Sequence, residues 1–205
     1  MSLALKQYEA IPVAGKKSFT YADYLRWDED IRAEIIDGIA YMMAPPNTLH
    51  QRISMNLSRL ISQFLEGKTC EVYAAPFGVR LFPKDDKSDD NIVEPDISVI
   101  CDKSKIDEQG CNGAPDFIIE ILSSSSRRKD KYIKYELYLK ALVREYWVVS
   151  PENREIDVHL LENNRYITRL YGINEHDAVD NTTVPEVVPV SVLPGLEIDV
   201  RDIFK

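Results

Sequence analysis

Cysteine is scarce in this chain: three residues among 205, Cys70, Cys101 and Cys111, with no Cys-x-x-Cys pair and no supporting histidine spacing. So small and odd a set argues against a disulfide scaffold and against a zinc ribbon, and makes a reducing cytoplasm the expected setting. Long hydrophobic runs are missing too. Nothing approaches the roughly 20 apolar residues that a membrane span needs, so no membrane role is expected. The opening MSLALKQYEAIPVAGKK lacks a signal peptide's order of charge, apolar stretch and small-residue cleavage site. It reads as an N-terminal arm over residues 1–17. Positive charge is in deficit, with 25 Lys and Arg against 34 Asp and Glu, a formal net charge of −9. That balance argues against coating nucleic acid non-specifically, while leaving room for a local basic patch. With no internal repeat and no break in composition, residues 18–205 are expected to form one domain.

What is present is ordinary globular chemistry, 44% hydrophobic and 29% charged. Ser18 and Thr20 precede YADYLRW, a short capped helix. RAEIIDGIAYMM is two apolar runs around Asp37-Gly38, the pair that favours a tight hairpin turn. Asn47 or Thr48 can cap a long helix in which Ile53, Leu57, Leu60, Ile61 and Phe64 recur at helical spacing. Extended segments are expected near Cys70–Phe82 and Val93–Cys101, then at Phe117–Leu122. A helix over about Arg127–Val143 leads to three more strands, EYWVVS, EIDVHLL and RYITRLYG. The tail VSVLPGLEIDVRDIF carries enough apolar residues to dock on the body.

Two carboxylates sit where a strand should be dry. Alternate residues of a strand share a face, so Asp116, Ile118, Glu120 and Leu122 lie together with Phe117, Ile119 and Ile121 behind them. Asp96 starts its own strand directly after Pro95. A buried ionised carboxylate costs several kcal/mol unless it is paired or bound to a metal. A divalent cation between the two would remove the penalty, and an oxygen-only site suits magnesium or manganese. The bland alternative for either acid is an arginine or a helix N-terminus. In the following helix Ile133, Leu137 and Ala141 form the expected core stripe. Asp130, Lys134 and Tyr138 stack on the neighbouring line, so that Lys134 borders the buried face.

EPDISVI, then DFIIEIL, a serine run and DKYIKYELYLKALVREYWVVSPE together resemble the PD-(D/E)XK nuclease superfamily. More narrowly, they resemble its large, cyanobacteria-rich bacterial family of restriction-endonuclease-like proteins of unknown function. AEIIDGIAYMMAPPNTLHQRI and LPGLEIDVRDIF extend the resemblance over about Phe19 to Phe204. It implies an α/β, restriction-endonuclease-like three-layer fold, a mixed central β-sheet flanked by helices, with extra C-terminal strands. It also implies a Mg2+- or Mn2+-dependent DNA endonuclease, a homodimer, with Asp96 and Glu120 as the metal ligands. The motif's lysine normally stands two residues after the glutamate, where this chain has Leu122; in this family a helix lysine serves instead and matches Lys134. Glu34 matches an additional acid near the metal, and His50 a histidine common at the start of the long helix. His159 and His176 match nothing and read as surface or packing residues. Arg127, Arg128, Lys129 and Lys131 cluster at one strand–helix junction suited to phosphate contacts. Two rivals share the fold: a catalytically silent nucleic-acid-binding or regulatory protein, and a metal-dependent hydrolase of a smaller phosphodiester.

Overall fold

The computed structural model describes residues 18–28, 31–123, 127, 129–174 and 183–205. The expected arm over 1–17, together with Arg128, His176 and residues 124–126 of the serine run, lies outside the described residues. Helix α1 (Tyr21–Tyr24) starts at Thr20, whose backbone N–H and hydroxyl both donate to the Asp23 carboxylate. Strands β1 (Ala33–Ile36) and β2 (Ile39–Met42) form the expected hairpin, and Asp37 and Gly38 both take positive φ, +48° and +78°. A two-residue turn of this hand follows the twist of the strands, and Gly38 adopts it without cost. Helix α2 (Thr48–Leu65) is capped by the Asn47 side chain, which accepts from the His50 N–H at 2.9 Å. Its buried stripe is Ile53, Leu57, Ile61 and Leu65.

Six strands follow in the middle of the chain: β3 (Glu71–Ala74), β4 (Val79–Arg80), β5 (Ile92–Val93), β6 (Ile97–Ile100), β7 (Ile106–Asp107) and β8 (Gly110–Asn112). Strand β9 (Phe117–Ile121) runs into a π-helical stretch, Lys129–Lys134, that continues as α3 (Tyr135–Lys140). The chain then forms β10 (Glu145–Ser150), β11 (Glu155–Glu162) and β12 (Arg165–Gly172), and ends in the hairpin β13 (Val187–Pro189), β14 (Glu197–Asp199) and helix α4 (Val200–Phe204).

The central sheet is mixed, in the order β12-β11-β10-β9-β6-β3, with β9 and β10 parallel and every other pair antiparallel. A parallel neighbour needs a crossover, and the π-helical stretch with α3 is that crossover. One face of the sheet packs Ile97, Val99, Phe117, Ile119 and Trp147 against the α2 stripe and the C-terminal segment Val188–Ile203. Glu145, fully buried, ties that segment down by accepting from Val192 N and Trp147 Nε1, both at 2.8 Å. The other face packs Ile118, Leu122, Tyr146 and Val148 against α3. A second mixed sheet, β2-β1-β5-β4-β8-β7, completes that layer with Ile36, Val79 and Val93. The fold is the expected three-layer α/β one, with a sheet sharing the third layer with a single short helix.

Two expectations need correction. The crossover's buried line is Asp130, Lys134 and Tyr138 with Leu137, whereas Ile133 is 37% exposed. The reading of Ile133 as a core residue assumed α-helical phasing, and a π-helical stretch, with its i→i+5 pattern, rotates the face that meets the sheet. Cys70 and Cys101 form a disulfide, contrary to the expected absence of one. They flank the paired strands β3 and β6, where Glu71 stands opposite Ile100, so the register brings them side by side. Cys111 stays free and buried.

Candidate active site

The register of the central sheet makes the site. Ile97 of β6 pairs with Ile119 of β9, so the residue before the one and the residue after the other, Asp96 and Glu120, stand opposite each other. Both line a cleft of about 440 Å³ together with His50 at the start of α2 and Lys129, Asp130 and Lys134 of the crossover. The predicted residues Asp96, Glu120, Lys134 and His50 are thus brought together. Glu34 stands immediately behind Lys134, fully buried in β1.

Asp96 is 17% exposed at its side chain. Its Oδ2 accepts from Ile121 N at 2.7 Å and faces His50 Nε2 at 3.1 Å. For His50, burial works against protonation, but the hydrogen bond and charge of Asp96 outweigh it and raise the imidazole pKa. Glu120 is only 3% exposed, and its Oε1 takes Lys134 Nζ at 2.7 Å and the Tyr138 hydroxyl at 2.6 Å. Lys134 Nζ also reaches Glu34 Oε1 at 2.6 Å and Asp130 Oδ1 at 3.8 Å. Glu34 in turn holds Lys129 Nζ at 2.5 Å and accepts from Glu94 N at 3.0 Å.

The electrostatics follow from this crowding. Burial pushes the Glu34 carboxyl up, but Lys134 and Lys129 outweigh it and hold its pKa to about 2. Lys134 would lose its proton to burial alone, yet Glu120, Glu34 and Asp130 raise its pKa well above the ordinary lysine value. Glu120 goes the other way from Glu34. Burial raises it first, Lys134 opposes, and Asp130, Asp96 and Glu34 add to the rise, so it ends well above the usual carboxylate range. Were all four carboxylates (Glu34, Asp96, Glu120, Asp130) ionised, they would exceed the two ammonium groups (Lys129, Lys134) by two negative charges, which is the crowding that raises Glu120. One divalent cation would balance that excess. Asp96 Oδ1 and Glu120 Oε2 have no hydrogen-bond partner among the described residues, which leaves an oxygen of each acid for such an ion. No group of three His, Cys, Asp or Glu side chains among the described residues is arranged to hold a metal by itself. A two-carboxylate site completed by water and substrate oxygens is what magnesium favours, so the residues fit a hard divalent cation.

Of the four residues expected at phosphate, the three that are described each stand on an acid. Arg127 pairs with Glu152 at the surface, Lys131 with Asp157 at 2.9 Å, and Lys129 is buried on Glu34; none is an uncommitted surface charge. Leu122, at the usual lysine position, is a core residue, 4% exposed. His159 is a packing residue, buried among Tyr135, Tyr146 and Tyr166. Sequence reasoning missed Glu94 and Arg32, joined by an ion pair of 2.7 Å at the cleft wall. Glu94 could have been found as the acid just before Pro95-Asp96; nothing in the sequence marks Arg32.

Comparison with known proteins gives the family of the chain and supports its fold. A family model described as "Putative restriction endonuclease" matches residues 21–201. Two uncharacterized proteins of the cyanobacterium Synechocystis are similar. One is 30% identical over 140 residues, 67% of this chain and 71% of its own length. The other is 29% identical over 169 residues, 79% of this chain and 93% of its own length. A crystal structure from Anabaena variabilis, titled as a putative nuclease belonging to DUF820, superposes with a TM-score of 0.69. It shares 22% identity, with 91% of this chain and 97% of that one covered, and so supports the fold. With the match spanning both sheets and every element of the cleft, the chain belongs to the Uma2 family of restriction-endonuclease-like proteins.

Proposed function

We propose that this cleft hydrolyses DNA phosphodiester bonds with a bound magnesium or manganese ion. The observation that carries the reading is the pairing of Asp96 with Glu120 across β6 and β9, beside a buried lysine ammonium. Asp96 and Glu120 would hold the ion. When bound, it supplies a Lewis acid that offsets phosphate charge and acidifies water. His50 fixes the rotamer of Asp96 through their 3.1 Å contact. Glu34 anchors Lys134, so the ammonium is already in place for the negative charge that develops at the phosphate. Tyr138 holds the Glu120 carboxylate at 2.6 Å. A homodimer acting on DNA in the cytoplasm belongs to the same reading, as does one domain over residues 18–205. A catalytically silent binding protein is the second reading, and the Lys134–Glu120 ion pair, which compensates Glu120 without a metal, is what favours it.

The test is cleavage of plasmid and oligonucleotide DNA with magnesium, manganese or EDTA, beside thermal melts in the same buffers. Metal-dependent cleavage and a metal-dependent rise in Tm are expected, because an ion that binds only the folded state stabilises it. Asp96→Asn should abolish both. Lys134→Met should abolish cleavage and keep the metal response. No cleavage by the parent on any DNA would sink the nuclease reading, and a metal response unchanged in Asp96→Asn would sink the site.

A further inference from the structure

We infer that Arg32 is the phosphate anchor of this cleft, the group that receives the incoming nucleic-acid backbone. The inference rests on the nuclease reading for its choice of ligand, and on geometry for its choice of residue. Among the described residues, three permanently basic side chains line the cleft: Arg32, Lys129 and Lys134. The two lysines are 9% and 2% exposed at their side chains, and each is locked on buried carboxylates. Drawing either toward an anion would strand a carboxylate in the interior. Arg32 is 40% exposed. It alone can meet an anion while keeping its internal partner.

Its guanidinium is also half-used and held in place. Nη2 donates to Glu94 Oε2 at 2.7 Å. Nε is shielded from solvent with no partner among the described residues. Nη1 has no partner among the described residues, and the side chain's 40% exposure leaves that nitrogen, rather than the shielded Nε, open to a phosphate oxygen. Glu94 is itself fixed from two sides. The Tyr24 hydroxyl approaches its Oε1 at 3.3 Å, and its backbone N–H donates to Glu34 Oε1 at 3.0 Å. Glu34 is the carboxylate that holds Lys134. Arg32 on Glu94 and Lys134 on Glu34 are therefore linked through one hydrogen bond, from the Glu94 backbone N–H to the Glu34 carboxylate, which ties the anchor to the lysine. A planar fork fixed in this way suits a phosphodiester better than a lysine point charge would. The remaining wall is neutral residues such as Met43, Pro46 and Gln51 and the acids Glu94, Asp96, Glu120 and Asp130, so the Arg32 fork is the accessible basic group that meets the backbone among the described residues.

The experiment measures binding of a fluorescently labelled single-stranded oligonucleotide by anisotropy across a salt series. Calcium replaces magnesium so that binding is read without turnover, and cleavage is measured in parallel with magnesium. Arg32→Ala should weaken binding about ten-fold and lower the slope of log K against log salt by about one, the signature of one lost phosphate contact. Arg32→Lys should keep the slope with weaker binding. Because Arg32→Ala leaves Glu94 unpaired, the double variant Arg32→Met/Glu94→Gln is the folding control, and it should bind like Arg32→Ala. Parent-like affinity and slope in both would overturn the inference whatever the cleavage result. A parent that binds without cleaving, with Arg32→Ala weaker, keeps the anchor and removes only the nuclease reading. A parent that binds no DNA overturns both.

Discussion

Glu34 and Glu120 are both buried carboxylates on Lys134, and they answer differently to losing their charge. Glu34 compensates two ammonium groups, and its depressed pKa means that its ionised form favours folding. Its contribution is fully present above the ordinary glutamate pKa and is lost as pH falls toward about 2. A shift of that size corresponds to roughly 3 kcal/mol. Glu120 has a raised pKa, so its contribution is lost as pH rises through the folded value, and its charge opposes folding at neutral pH. Glu34→Gln is therefore expected to cost about 3–5 kcal/mol, since it leaves buried ammonium groups short of a partner. Glu120→Gln should be neutral or slightly stabilising, because Lys134 keeps Glu34. Urea denaturation of both in EDTA at pH 7 checks the order. A large loss in Glu120→Gln would show that this acid is held for folding.

At the scale of elements, β11 carries a titratable group in an aromatic setting. His159 lies beneath α3, with Nδ1 2.8 Å from the Thr168 hydroxyl of β12. Burial is the main cause that lowers its pKa from 6.5 to about 4, against the opposing charge of Asp157. The folded state thus prefers the neutral ring, and stability is present above the unfolded pKa and lost as pH falls from about 6.5 toward 4. The linked amount is roughly 3 kcal/mol. His159→Phe should flatten that part of the stability–pH curve, measured by denaturation between pH 7 and 4. An unchanged slope would mean that His159 takes up its proton in place.

Elements with a strong local cause were readable beforehand. Asp37-Gly38 demands positive φ, Asn47 offers a cap, and the α2 stripe repeats with the helix. Asp96 and Glu120 were readable because a charge in an apolar strand needs a reason. What escaped depends on distant chain. Strands β7 and β8, two and three residues long, have no period to detect and exist through pairing in the second sheet. The crossover's phase was misread because α- and π-helical turns share one sequence pattern. Cys70 and Cys101 meet only through the register of β3 on β6. Arg32 became visible only once Glu94 gave it an orientation.

The whole molecule is held by closures made far apart in sequence. The disulfide links residues 31 apart, and in the loop-entropy picture a loop of that size is worth about 3.5 kcal/mol. Reduction, or Cys101→Ser, is then expected to lower Tm by roughly 7–14 °C, read in melts with and without reductant. An unchanged Tm would mean that strand pairing alone holds β3 to β6. The other long closure is the C-terminal segment, whose Val188 to Ile203 complete the core on the α2 side and whose Val192 N–H is bound by Glu145. Asp96, Glu120 and Lys134 all precede it. During synthesis the residues proposed for chemistry therefore leave the ribosome well before the layer that makes their sheet rigid. A nascent chain that has emerged only through Lys134 carries the proposed site without the layer behind its sheet, so the proposed cleavage is expected only once Val188–Ile203 have docked.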